Sequence, residues 1–244
     1  MLSLHNRVTT NSGGMSSMSS FTLSSALHEW NYQNATDVGT TTTLVDTGTI
    51  GSFNMANPTA ISEITLTDSY ISDGLTQYAI YNTTDFRGAD TTGVFHCKAT
   101  YIGGFQTFIA GANNLVDTEW FSFRIRNTGQ AELLYRNGAA FSVLRTNATY
   151  TTGEHTISVY CTGTDIFILV DGVKITSYHT DSMLNRWMSY SMGLGSTWDN
   201  IAFGGRIATP ITYRADKQKY LCYEPYTSEA NALINHNLIR NTTF

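Results

Sequence analysis

HTISVYCTGTDIFILVDGVKIT, residues 155–176, decides the fold. Its first half alternates. Ile157, Val159 and Cys161 fall on one face, and Thr156, Ser158 and Tyr160 on the other, which is the period of a β-strand. Ile166, Ile168 and Val170 then alternate with Phe167 and Leu169, so the second strand is apolar on both faces. A strand of that kind is covered on both sides, as in the middle of a layered sheet. Asp171-Gly172 between apolar residues predicts a tight hairpin, because both residues tolerate positive φ.

The same grammar extends in both directions. VFHCKATYI (94–102) alternates, and WFSFRIR (120–126) places Phe121, Phe123 and Ile125 inward and Ser122, Arg124 and Arg126 outward. Asn127-Thr-Gly129 turns this strand into Ala131–Tyr135, and Asn137-Gly138 turns that one into Phe141–Leu144. Strands at roughly 8–12-residue spacing are the pattern of a sandwich. One helix is legible, from Pro225 to Leu238, with Thr227 or Ser228 as N-cap and Ala230, Leu233, Ile234 and Leu238 on one face. The chain therefore reads as all-β: a jelly-roll sandwich of two antiparallel sheets with a short C-terminal helix. Phe121, Phe123, Ile125, Ile157, Val159, Ile168 and Val170 are its expected core.

Composition bounds the rest. The chain has 244 residues, 41% of them hydrophobic, enough for one sizeable core. Only 14% are charged, well below the usual quarter, so the polar surface is largely Ser, Thr, Asn and Gly. With 14 Lys+Arg against 19 Asp+Glu and no basic stripe, nucleic acid is not an expected partner. No apolar run is long enough to span a membrane, and the N-terminus does not read as a secretory signal. Cys97, Cys161 and Cys222 lack metal-binding spacing and read as buried free thiols. Asn34, Asn82, Asn147 and Asn241 stand in glycosylation sequons that a Thr- and Asn-rich chain produces by composition. Residues 1–24 are a Ser/Met/Gly-rich leader, read as a flexible arm with Leu2, Leu4, Met15 and Met18 as small anchors; 25–244 are the sandwich domain.

The block from His155-Thr156 to Val170-Asp171-Gly172 resembles a signature of laminin G-like domains in the concanavalin A-like lectin/glucanase superfamily. NIAFGGRI (200–207) is similar to that family's closing strand, and the Pro225–Leu238 stretch to its closing helix. Trp30, Asp46-Thr47-Gly48 and Phe53 match the family's opening loosely. The resemblance implies a concanavalin A-like jelly roll. It also implies calcium as the usual metal. Candidate loops are Asp85–Asp90, Asp117–Glu119 and Asp199-Asn200, but none is a dense acidic cluster, so no cofactor is expected. Similar stand-alone domains occur among capsid decoration, head-fibre and tail components of tailed phages. This makes a virion the expected location, with the major capsid protein, further copies of the chain and host-surface glycans as partner classes.

Chemistry is sparse. The paired carboxylates that glycoside hydrolysis needs are missing: Glu29, Glu63, Glu119, Glu132 and Glu154 stand alone. No G-x-S-x-G motif occurs, and His96 and His155 read as hydrogen-bonded structural residues. The expectation is a non-enzymatic binding or assembly protein, with a stand-alone lectin and a degenerate glycosidase as alternatives. Trp187, Tyr190, Trp198, Asp199 and Asn200 are the candidate glycan or partner surface, since aromatic rings stack on sugars and amides and carboxylates bind hydroxyls. The alternative for Trp187 and Trp198 is to plug the sandwich ends.

Overall fold

The computed structural model describes residues 21–38, 41–51, 54–56, 65–66, 70–71, 79–82, 93–104, 106–112, 119–137, 140–161, 166–175, 200–203 and 218–244. Its elements are β1 (His28–Val38), β2 (Thr41–Asp46), β3 (Met55–Ala56), β4 (Thr65–Leu66), β5 (Tyr70–Ile71), β6 (Ala79–Asn82), β7 (Gly93–Tyr101), β8 (Gln106–Ala112), β9 (Glu119–Ile125), β10 (Gln130–Asn137), β11 (Ala140–Thr149), β12 (Gly153–Cys161), β13 (Ile166–Val170), β14 (Val173–Ile175), β15 (Asn200–Phe203), β16 (Gln218–Pro225) and the helix α1 (Glu229–Asn241).

Two antiparallel layers face each other. One has the order β1-β16-β7-β12-β13-β14 and the other β8-β9-β10-β11, and β15, β6, β3 and β2 carry the ladder from one layer to the other. The two sheets expected from the sequence are thus continuous along one side. The decisive hairpin forms as read. Val170 pairs with Val173 across Asp171 (φ 51) and Gly172 (φ 85), the positive-φ pair of a tight turn. Rows of side chains cross three strands: Cys97, Ile157 and Val170 in one, Phe95, Val159 and Ile168 in the next. These pack with Phe108, Phe123, Ile125, Ala131 and Leu133 of the opposite layer and with Trp30 and Leu44 in a single core. Phe123, Ile125, Ile157, Val159, Ile168 and Val170 are buried as expected; the Phe121 side chain lies outside the described residues. Each such side chain contributes roughly 1.5–3 kcal/mol by leaving water.

The double-sided apolar pattern of β13 has a specific cause. Ile168 and Val170 enter the main core, while Leu169 joins Val94, Tyr160 and Ala232 in a second cluster beneath α1. Tyr160 stacks between Phe167 (5.0 Å) and Tyr226 (5.5 Å). Thr156, Ser158 and Tyr160 of β12, read as the far face, are buried as well. The helix starts as read, with the Ser228 side chain accepting from the Asn231 N–H. Its buried stripe differs from the one expected. Ala232, His236 and Ile239 face the sheet, whereas Ala230, Ile234 and Leu238 are exposed. The sheet face below is partly polar (His96, Lys98, Ser158, Glu224), so a polar residue, His236, fills the central position.

Phe21 packs edge-on against Tyr220 and Phe244 at 5.5 Å, and Leu23 is buried, so the last residues of the 1–24 leader belong to the core. Residues 1–20 of the leader lie outside the described residues. Among the described residues no helix is long and apolar enough to cross a membrane.

Candidate functional site

Trp187, Tyr190, Trp198 and Asp199 lie outside the described residues. Asn200 opens β15, where its backbone pairs with Asn82 and Ala112. The loop 85–90 and residues 117–118 also lie outside. Among the described residues, no group of three or more His, Cys, Asp or Glu is placed to hold a metal ion. Four polar constellations are described, and three of them are closed.

The first runs between the sheet and α1. The Gly172 N–H donates to His236 Nε2 at 2.8 Å. His236 must then carry its proton on Nδ1, which meets Ser158 Oγ at 2.7 Å. Ser158 in turn donates to His96 Nδ1 at 2.6 Å, and His96 Nε2 donates to Glu224 Oε1 at 2.8 Å. Asn235 and Ser25 complete the carboxylate. Burial would raise Glu224, but its hydrogen bonds and the nearby His96 outweigh that and hold it below the ordinary carboxylate value. Burial, with His96 nearby, pushes His236 down to about 3. The Ser–His–Glu order is superficially hydrolytic. Yet Ser158, His96 and His236 are 0% exposed, so no substrate reaches the hydroxyl.

The second surrounds Glu29, also fully buried. It accepts from Tyr220 Oη (2.6 Å), the Leu23 N–H (2.9 Å) and Thr47 Oγ1 (3.2 Å). Burial outweighs these bonds and raises its pKa. Beside it, Asp46 binds His28 Nδ1 (2.8 Å) and the N–H groups of Glu29 and Gly48 (2.9 Å each). Gly48 is required by close approach: a Cβ there would sit 2.2 Å from the Leu27 carbonyl oxygen. Trp30 pairs with Asp46 in the ladder and stacks on His28. Trp30 and Asp46–Gly48 of the opening stretch are thus brought together in a structural role, while Phe53 lies outside the described residues.

The third is the hairpin's own lock. His155 meets Asp171 Oδ2 through Nδ1 and the Thr151 carbonyl through Nε2, each at 2.7 Å, while the Thr156 N–H donates to Asp171 Oδ1 at 2.9 Å.

The fourth lies on the outer face of β9, β10 and β11. The register sets Arg124 opposite Glu132, and Glu132 opposite Arg145. Both oxygens of Glu132 are held: Oε1 by Arg124, and Oε2 by Arg145 through Nε and Nη2, each at 2.9 Å. Arg126 Nε stands 3.6 Å away. The sequence places Arg124 in solvent; instead it is only 7% exposed and Glu132 not at all, because the guanidinium stems close over the carboxylate. The Arg145 side chain remains 42% exposed and that of Arg126 25%. Glu132, read as an isolated acid, is the anchor of this face.

No protein-family model matches the chain, and no curated protein does. Solved structures do. Domain 4 of AbnA, a GH43 extracellular arabinanase of Geobacillus stearothermophilus, in complex with arabinotriose, superposes at a TM-score of 0.55 and 11% identity, covering 86% of this chain and 97% of that one. Trypanosoma rangeli sialidase in complex with 2,3-difluoro-KDN gives a TM-score of 0.61 at 8% identity over 91% of this chain, but over only 34% of its own. A second structure of that sialidase gives 0.60 at 9%. This chain therefore spans about a third of the sialidase's length. At such identities the likeness is one of fold: the chain is a lectin-like β-sandwich.

Proposed function

We propose that this chain is a non-enzymatic, lectin-like module that binds glycans. One observation carries the reading: the division of charged groups between inside and outside. Among the described residues, Glu29, Asp46, Glu132 and Glu224 are buried and bonded to internal partners, and the more exposed Glu154, Glu229 and Asp171 are each paired, with Lys98 and Lys219, with Lys174 and with His155. Hydrolysis of a glycoside needs two carboxyl groups on either side of the scissile bond, open to it. The side chains of Arg145 and Arg126 reach solvent on one sheet face, and guanidinium groups there serve binding, since they neither donate nor accept a proton near neutral pH. The fold agrees, as domain 4 of AbnA is described in complex with arabinotriose. Trp187, Tyr190, Trp198, Asp199 and Asn200 are proposed as a further contact surface.

The test is a glycan array followed by calorimetric titration of the full chain. Saturable binding is expected, with no reducing sugar released on prolonged incubation. Turnover that disappears when one Asp or Glu is replaced would overturn the non-enzymatic part. Failure to bind any glycan would overturn the lectin part. If the aromatic surface contributes, Trp198→Ala weakens the binding.

A second reading concerns where the module works. The surface is poor in charge, with 14% charged residues overall, which lowers the repulsion that keeps subunits apart. That favours a component of an assembled particle, such as a capsid decoration, head-fibre or tail protein. Copurification with virus particles tests it, and deletion of residues 2–20 should weaken incorporation without unfolding the sandwich.

A further inference from the structure

We propose that α1 is an acid-released latch: uptake of a proton by His236 frees the helix from the sheet and from the Asp171-Gly172 turn, while the hairpin itself stays shut.

The turn between β13 and β14 is held from two sides. Toward β12, Asp171 Oδ2 meets His155 Nδ1 at 2.7 Å, and His155 Nε2 faces the Thr151 carbonyl at 2.7 Å. Both partners are acceptors, so this ring favours its second proton. Toward α1, the Gly172 N–H donates to His236 Nε2 at 2.8 Å. That bond needs a bare nitrogen, and a proton there would set two N–H groups against each other. Adjacent residues of one turn thus engage two histidines with opposite demands. Acid keeps the first contact and breaks the second.

The helix rests directly on the turn: a Cβ at Gly172 would stand 3.0 Å from Arg240 Nη1 and 3.1 Å from Asn237 Oδ1. Its buried residues are Ala232, His236 and Ile239, so His236 is the middle one of three anchors. Ser158 of β12 meets the ring, with His96 of β7 and Glu224 of β16 behind that hydroxyl. Asp171 approaches from the turn, Arg240 from α1 itself, and Lys98 of β7 holds the helix end. Burial, helped by His96 and Arg240 and opposed by Asp171, holds His236 down to about 3. The ring is fully buried, so it takes its proton as α1 lifts. Lifting uncovers Val94, Tyr160 and Leu169, which cluster with Ala232, and leaves the rows of the main core in place.

The experiment follows backbone amide exchange of the full chain at pH 7 and pH 5, each rate corrected for the intrinsic pH dependence of exchange. A released histidine titrates near 6.5, so opening of α1 should be favoured about 25-fold more at pH 5 than at pH 7. Protection from Ala232 to Ile239 should fall by about that factor. Complete unfolding also takes His155 from its acceptors, and its raised pKa acts with the opposite sign. The amides of β7 and β12 should therefore change less. Equal changes in helix and strands would mean that they open together and overturns the latch. His236→Gln should hold the protection of α1 level between the two pH values, and a fall as large as in the parent chain overturns His236 as the trigger. Should that variant not fold, the parent ring decides by its imidazole nitrogen shifts. A neutral His236 is expected wherever α1 is protected, and a charged ring beneath a protected helix at pH 5 overturns the proposal.

Discussion

His155 and Asp171, sixteen residues apart, close the central hairpin with a 2.7 Å bond between Nδ1 and Oδ2. The other ring nitrogen faces the Thr151 carbonyl, which can only accept. Both ring nitrogens face acceptors, so the site favours the imidazolium over the neutral ring. Burial alone would lower His155, but the Asp171 and Thr151 bonds prevail and raise it. Asp171 is lowered: burial opposes, and the His155 and Thr156 bonds win. The raised His155 stabilises fully below about pH 6.5, and this is lost as pH climbs through its folded value. The lowered Asp171 stabilises above about pH 4, and this is lost in acid. Asp171→Asn keeps a residue that tolerates φ 51 and removes the charge. It should cost about 1–3 kcal/mol near pH 5.5 and clearly less at pH 9. Denaturant midpoints at the two pH values decide; equal deficits would show that the imidazolium contributes nothing.

His236 acts with the opposite sign. Its folded pKa of about 3 lies below that of an unfolded histidine, so the unfolded chain takes up a proton first as pH falls. Stability should drop from about pH 6.5 downward, by about 2 kcal/mol between pH 7 and 5 from this residue. The partner groups on all sides are His96, Asp171 and Arg240, together with Ser158 and the Gly172 N–H. His236→Gln retains an acceptor for Gly172 and a donor for Ser158. The variant should lose that much less between pH 7 and 5 in urea titrations, and parallel pH profiles would refute the assignment.

Much of this was legible in the sequence. Alternation located the strands of both layers, and the turns carried more information than they first yield. The Asn127–Gly129 turn sets position 124 opposite 132, and the Asn137 turn sets 132 opposite 145, so the Arg124–Glu132–Arg145 row follows from register alone. Reading each strand singly hides it: Arg124 then falls on an outward face and Glu132 stands as an isolated acid. The helix misled for a related reason. Periodicity seeks an apolar stripe, but α1 docks on a sheet face that presents His96, Lys98, Ser158 and Glu224. Such a face selects His236, which no apolar period can find. The expected aromatic surface of Trp187, Tyr190 and Trp198 lies beyond the described residues.

Phe123 sits at 0% exposure where the two layers meet. Phe123→Ala removes a ring from a site whose neighbours belong to a continuous sheet and can collapse only partly. A loss of about 3–5 kcal/mol is expected. Guanidinium unfolding with an unchanged m-value would confirm a packing effect, and a loss below about 1 kcal/mol would show that the layers do not close there.

Lys98 terminates the helix from below. It is 2% exposed, and its Nζ reaches the carbonyls of Arg240 (2.8 Å), Thr242 (2.6 Å) and Ile239 (3.4 Å). These belong to the helix end, where carbonyls lack intrahelical partners and a cation meets the negative end of the dipole. Glu154 bonds both Lys98 and Lys219, so it keeps a partner if Lys98 goes. Lys98→Met preserves most of the stem and removes only the ammonium. The part-buried carbonyls would then face a methyl group in place of the ammonium. A loss of about 3 kcal/mol or more is expected, with amide exchange rising first around Ile239 and Arg240 while β7 and β12 remain protected. Uniform exchange across helix and sheet would mean that α1 and the sandwich open together, and an unchanged melting temperature would mean that the helix end is held by Ile239 and Phe244 packing rather than by the lysine.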